Sequence, residues 1–132
     1  MKKNWHAYAS TTIFPAHLYY CGCSSTKPLF VISGSNPYGL LMPSFFNWTF
    51  HWLLFLVLLL VARTMPLPFI GKSFDGQWEE HCWGTLLIKK GVALFIARAF
   101  LQEAIFQIDG EKQKLIAADG TIKAVTTLSA KW

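Results

Sequence analysis

One stretch, residues 45–62, constrains the fold of this chain more than any other. Its sequence is FFNWTFHWLLFLVLLLVA, positions 53–61 are all apolar, and the next charged residue is Arg63. As an α-helix it would be about 27 Å long, which is enough to cross a thin hydrocarbon core. Each central Leu, Val or Phe favours insertion by roughly 0.3–0.6 kcal/mol, and together they outweigh the polar residues near the start. We therefore predict a transmembrane helix here, with a buried helix of a soluble protein as the alternative.

The composition agrees with a membrane protein. Hydrophobic residues make up 53% of the chain and charged residues only 14%, whereas a soluble domain usually carries about 25% charged residues. A span over residues 45–62 leaves two flanks, 1–44 and 63–132, and only the second is long enough to build its own core. The sequence thus predicts a single-pass protein with an irregular N-terminal flank and a small C-terminal module.

Both ends of the predicted span carry residues that favour the membrane interface. Trp48 and Trp52 lie near its start, where amphipathic rings prefer the headgroup zone, and Arg63 follows its end, where it can reach the headgroups. Pro66 and Pro68 prevent the helix from continuing. Lys and Arg number three before the stretch and nine after it, so the C-terminal flank is expected to be cytoplasmic.

His51 is the one ionisable residue inside the apolar stretch. Ionisable residues in membrane helices often mark function, so His51 is a possible intramembrane functional residue. It lies close to the start of the stretch, and Asn47 precedes it by one helical turn. A structural histidine paired with Asn47 or with the interface is the favoured interpretation.

The N-terminal flank holds two cysteines in a loop-like sequence. Residues 20–28, YCGCSSTKP, resemble the start of a mature bacterial lipoprotein, and that resemblance implies a lipid on Cys23. The preceding apolar segment is interrupted by Pro15 and His17, however, which favours an ordinary loop. Residues 29–32 are apolar, but Gly and Pro residues follow closely and exclude a second span.

The C-terminal flank contains turn signals that predict antiparallel strands. Asp-Gly pairs occur at 75–76, 109–110 and 119–120, and this dipeptide supplies the positive φ angles of two-residue hairpin turns. The last two pairs separate residues 104–108, 111–118 and 121–128, and the last segment alternates in polarity. These segments predict a three-stranded meander, which needs something to cover one of its faces.

Residues 92–103 are the predicted cover. VALFIARAFLQE is rich in helix formers, follows Gly91 as a break, and places Arg98 opposite a broad apolar side. The predicted fold class is therefore α+β, with one transmembrane helix, a small C-terminal helix and an antiparallel β-meander. The alternative is an all-β appendage, in which residues 83–88 and 92–100 form a hairpin.

The sequence contains none of the common catalytic or phosphate-binding motifs, so we expect no enzymatic activity and no cofactor. Cys21, Cys23, His81 and Cys82 are the best metal candidates, since thiolate and imidazole are ligands for zinc and copper. Their spacing does not match a common zinc motif, and a spanning helix would separate the two halves. We therefore expect that these residues bind no metal.

These patterns favour a non-enzymatic accessory or interaction subunit that anchors a small basic module at a lipid bilayer, with another membrane protein as its partner. The formal charge is +5, but no basic run or stripe occurs, so nucleic-acid binding is not expected. A thiol- or metal-handling membrane protein using Cys21 and Cys23 is the alternative. A third interpretation is an incomplete or unselected product, because neither flank carries a complete site.

Overall fold

The chain has an α+β arrangement in which each helix lies between groups of two or three strands. The computed structural model describes residues 12–15, 28–34, 43–72, 79–109 and 112–127. Within those ranges the chain forms seven strands and two helices. In chain order they are β1 (Thr12–Pro15), β2 (Leu29–Ile32), α1 (Ser44–Ala62), β3 (Leu67–Lys72), β4 (Glu79–Thr85), α2 (Lys90–Ala99), β5 (Ala104–Asp109), β6 (Lys112–Ala117) and β7 (Ile122–Thr127).

All the strands belong to one antiparallel sheet with the order β1-β3-β4-β2-β5-β6-β7. The predicted meander is confirmed as β5, β6 and β7. The prediction of an irregular N-terminal flank is wrong where the structure describes it, because β2 lies in the middle of the sheet between β4 and β5. All four residues of β2 are buried, which explains the continuous apolar run LFVI, but a run this short does not identify its distant partners.

The second predicted helix is present as α2, so the all-β alternative is wrong. It begins at Lys90, and Gly91 lies inside its first turn instead of breaking the chain before it. It ends in a Schellman-type cap, since the Leu101 N–H donates to the Arg98 carbonyl and the Gln102 N–H to the Ala97 carbonyl. Leu101 takes the left-handed conformation there, with φ of 57°. No glycine marked this end in the sequence.

The turn between β6 and β7 uses its glycine differently from the prediction. The Gly120 N–H donates to the Ala117 carbonyl, and the Ala117 N–H donates to the Thr121 carbonyl. Gly120 has φ of 94°, whereas Asp119 is not among the residues with positive φ. The loop is therefore three residues long with a glycine bulge, not a two-residue turn. The Asp119 side chain accepts the Thr121 N–H instead, and Gly110 of the other predicted turn lies outside the described residues.

The two sides of the sheet are covered in different ways. On the first, which we call the helix-covered side, both helices pack on alternate strand residues. On the second, the curled side, the sheet covers itself: β1 bends back so that the Ile13 N–H donates to Gln113 Oε1 of β6 at 3.2 Å. Ile13 is fully buried although β1 is an edge strand. The curled side packs Ile13, Leu29, Val31, Phe69, Cys82, Phe106, Ile108 and Leu115.

Helix α1 confirms the position of the predicted apolar helix. Among the described residues it alone is long and apolar enough to cross a membrane. It ends at Ala62, and Arg63 adopts a left-handed conformation whose N–H donates to the Leu59 carbonyl. One narrow face contacts the sheet, so that only 22% of its apolar stretch is buried. The buried residues are His51, Leu54, Leu58 and Ala62.

Candidate functional site

The first half of α1 and the start of β4 form a cluster of aromatic and imidazole rings. Strand β4 turns its odd-numbered residues toward α1 because side chains alternate along a strand. Trp83 therefore lies under the helix, where its indole N–H donates to the His51 carbonyl at 2.8 Å. The His51 ring stacks on Trp83 with 4.5 Å between centroids and 20° between planes. Trp52 and Phe55 pack against the same indole at 5.4 and 4.9 Å.

His81 brings a second imidazole to this cluster. It precedes Trp83 by two residues and lies on the same side of β4. Its ring centroid is 6.1 Å from that of His51. The Trp48 ring stacks beside His81 at 6.0 Å. The sequence suggested neither contact. His81 follows His51 by thirty positions, and the two residues meet only because α1 packs on the sheet.

An open cavity of about 200 Å³ lies beside these rings. This volume is below the roughly 300–1,000 Å³ of typical small-molecule sites, so the cavity accommodates water or a small polar group. Its lining combines imidazole, carboxylate, amide and hydroxyl groups with one indole. The lining residues are Ser44, Asn47, Trp48, His51, Glu79, Glu80 and His81.

His51 is buried, and its Nδ1 has no hydrogen-bond partner among the described residues. The predicted pairing of this imidazole with Asn47 is therefore not made through Nδ1. A buried unpaired nitrogen costs free energy, so its presence requires a compensating contact. The stacking on Trp83 supplies one.

The four metal candidates do not converge where the structure describes them. Cys21 and Cys23 lie outside the described residues. His81 is exposed on the helix-covered side of β4, while Cys82, the next residue, is buried on the curled side. Across the described ranges no group of three His, Cys, Asp or Glu residues is placed to hold a metal ion. The absence of a bound metal stays a prediction.

Strand alternation places Glu80 on the curled side with Cys82, and part of Glu80 also lines the cavity beside α1. Glu80 accepts a hydrogen bond from the Ser33 hydroxyl. Burial raises the pKa of Glu80 to about 8, against the opposing effect of that hydrogen bond. Burial, reinforced by the neighbouring Glu80, also raises the pKa of the Cys82 thiol well above its usual value. Both groups are thus protonated at neutral pH, and Cys82 is a poor nucleophile or metal ligand.

The outward side of α1 exposes a series of large apolar side chains. We call it the outer face of α1, defined by the exposed large side chains at helical spacing. Single exposed apolar residues are ordinary, whereas several at helical spacing are typical of an interaction surface. Exposure ranges from 45% at Leu53 to 75% at Leu60. The row comprises Phe45, Trp48, Trp52, Leu53, Leu56, Leu60 and Val61.

The residues predicted at the membrane interface belong to this surface or border it. Trp48 and Trp52 are about half exposed near the first end of α1, and Arg63 is exposed immediately after the last. The sequence identified all three from their position around the apolar stretch. It did not indicate that one side of the same helix is buried on a sheet.

No protein-family model, no curated protein and no solved structure matches this chain. Its own residues are therefore the basis for any proposed function. Two features remain for that purpose: the small cavity between α1 and β4, and the outer face of α1.

Proposed function

We propose that this protein is a non-enzymatic accessory subunit, attached to a lipid bilayer through α1, that presents its sheet to another membrane protein. The observation that carries the proposal is the outer face of α1. None of the nineteen residues of α1 carries a charged side chain, and at about 1.5 Å per residue the helix is about 28 Å long. Water is an unfavourable environment for such a surface.

Two arrangements would place this row in hydrocarbon. In the single-pass arrangement predicted from the sequence, α1 crosses the bilayer and the C-terminal flank is cytoplasmic. In the in-plane arrangement, α1 stays on the sheet and only its outer face enters the membrane. Both arrangements give an integral or tightly attached protein, and both are consistent with the length of α1.

The cavity between α1 and β4 gives weaker support for an enzyme. It is small and open, and its volume is below that of typical small-molecule sites. The thiol- or metal-handling alternative depends on Cys21 and Cys23, which lie outside the described ranges. The buried, protonated Cys82 does not favour it.

Membrane attachment is tested by fractionation of cells that express the full chain. We expect the protein in the membrane fraction, and Leu56→Arg should move it to the soluble or degraded fraction, since Leu56 lies near the middle of the outer face. Val125→Arg is the matched control, because Val125 is equally exposed but lies on β7. A wild-type protein that remains soluble, or equal release by both variants, would contradict the proposal.

A further inference from the structure

The contacts beneath α1 hold the helix on the sheet. Leu54 and Leu58 are completely buried, and exposing either apolar side chain to water is unfavourable. The Trp83 indole is hydrogen-bonded to the His51 carbonyl. At Gly34, after β2, an added Cβ would lie 2.7 Å from the Phe50 carbonyl oxygen, which shows how closely the two backbones approach.

A spanning helix would have to give up these contacts. Leaving the sheet would expose Trp83 together with Phe30 and Ile32, which share the core with Leu54 and Leu58. It would also break the hydrogen bond that the Trp83 indole donates to α1. The outer face can enter hydrocarbon without any of these losses. The docked position therefore favours α1 lying in the membrane plane.

Helix α2 extends the same surface. Both helices pack on the same side of the sheet and share one core, so their outward faces point away from the sheet. Phe95 on α2 is 66% exposed, and Val92 one turn earlier is 37% exposed. These side chains add apolar area beside the outer face of α1.

The charged residues within the two helices and directly next to their ends are all positive, and Glu79 of β4 lines the cavity beside the first half of α1. Arg63 follows α1, Lys89 and Lys90 begin α2, and Arg98 lies in its last turn; all four are exposed. Neither α1, α2 nor the segment 86–101 contains an acidic residue. The described acidic residues lie on the strands or their connections instead: Glu79, Glu80, Glu103, Asp109 and Asp119.

We infer that this helical surface, the outer face of α1 together with α2 and its basic residues, is an in-plane binding surface for anionic phospholipid. The inference rests on the proposed membrane attachment and specifies its geometry and its lipid. Basic residues near an anionic bilayer each contribute about 1 kcal/mol. A second copy of the chain is a poorer occupant, because it would bring the same four positive charges against these.

Lipid preference is tested with the purified full chain and sealed vesicles of two compositions. One contains phosphatidylcholine alone, and the other contains phosphatidylcholine with about 30% phosphatidylserine. We expect tighter binding to the anionic vesicles and weaker binding at high salt. Replacing Lys89 and Lys90 with Gln should weaken binding to anionic vesicles roughly 30-fold. The matched control replaces Lys112 and Lys123, two exposed lysines on β6 and β7, and should have a much smaller effect.

Equal binding to both vesicle types would overturn the lipid assignment while leaving membrane attachment intact. Failure to bind either vesicle type would contradict both the lipid assignment and the proposed membrane attachment. Dimerisation in solution that buries Trp52, with no vesicle binding, would identify a second copy as the occupant.

The in-plane geometry has its own measurement. Short tags at the two ends of the chain are probed with protease on sealed inverted and right-side-out membrane vesicles. Digestion of both tags from the same side is expected for an in-plane helix. Digestion from opposite sides would show that α1 spans, which would overturn this inference but not the proposed membrane attachment.

Discussion

The two sides of the sheet are buried by different means, and the difference explains the unusual surface of this protein. The curled side covers itself by bending β1 toward β6, so its apolar residues contact one another. The helix-covered side uses α1, which is apolar around its whole circumference. A helix of that kind buries one face and necessarily presents another. The curled side therefore forms a closed core, whereas the helix-covered side leaves the outer face of α1 exposed.

The two sides also treat buried polar groups differently. On the curled side Glu80 is neutralised by protonation and hydrogen-bonded to Ser33. On the helix-covered side the His51 Nδ1 has no hydrogen-bond partner in the part of the chain that the structure describes, and the ring stacks on Trp83. Substitutions on the two sides should therefore change the free energy of unfolding by different amounts and with different pH dependence.

The largest expected effect is on the curled side and depends on pH. Between about pH 5 and 8 the folded protein retains a proton on Glu80 that the unfolded chain has lost, so the free energy of unfolding falls as pH rises and levels off above about pH 8. Glu80→Gln keeps the shape without this titration. From pH 5 to pH 8 the variant should lose roughly 3–4 kcal/mol less than the wild type.

Denaturant unfolding at a series of pH values measures this difference. Glu79→Gln, an exposed neighbour on the same strand, is the control and should follow the wild-type curve. Parallel pH curves for Glu80→Gln and the wild type would show that Glu80 is ionised in the folded protein.

A leucine pair on α1 separates its two faces directly. Leu58→Ala removes a fully buried side chain and should lower the free energy of unfolding by roughly 2–5 kcal/mol. Leu60→Ala makes the same change at a side chain that is 75% exposed and should alter stability by less than about 0.5 kcal/mol. The measurement is chemical unfolding of both variants in the same buffer. Equal losses would mean that α1 does not rest on the sheet through this face.

A glycine pair tests how closely the sheet and α1 approach. Gly34→Ala would place a Cβ 2.7 Å from a backbone oxygen of α1 and 3.3 Å from the Leu54 Cβ. Neither neighbour is the end of a flexible side chain, so we expect a loss of roughly 1–3 kcal/mol. Gly91→Ala in α2 meets nothing within 4 Å and should stabilise by roughly 0.5–1 kcal/mol. Thermal melting distinguishes the two signs, and a neutral Gly34→Ala would argue against the close packing.

The smallest effect concerns His51. His51→Phe preserves the stacking on Trp83 and removes the unpaired Nδ1, so the free energy of unfolding should rise by roughly 1 kcal/mol. His81→Phe, on the exposed side of the cavity, is the control and should change the free energy of unfolding little. A clear loss of stability in His51→Phe would show that Nδ1 has a partner in the folded protein, such as a molecule in the adjacent cavity.

Local sequence signals account for much of the fold. The meander followed from alternation and Asp-Gly pairs, and α2 followed from helix formers around Arg98. The signals failed where the partner is distant. Nothing in residues 29–32 indicated that β2 pairs with both β4 and β5, and the end of α2 at Leu101 lacks the glycine that usually marks such a cap.

The candidate site divides in the same way. Trp48, Trp52, Arg63 and His51 were found because they belong to or border the apolar stretch. The Trp83 contact, the proximity of His81 and the burial of Glu80 were not, since each arises from packing between elements. Cys82 could be named as a candidate metal ligand from its residue type. Only the structure shows that it is buried and therefore a poor nucleophile or metal ligand.

By itself the sequence determined that residues 45–62 form a long apolar helix and that the C-terminal flank forms antiparallel strands, because helical length, hydropathy and turn chemistry are local properties. Only the tertiary structure decided which face of that helix is buried. All faces of α1 are similarly apolar, so periodicity could not distinguish Leu58 from Leu60. The sheet makes that distinction through Gly34 and Trp83, which fix the rotation of the helix and thereby choose the residues that remain exposed.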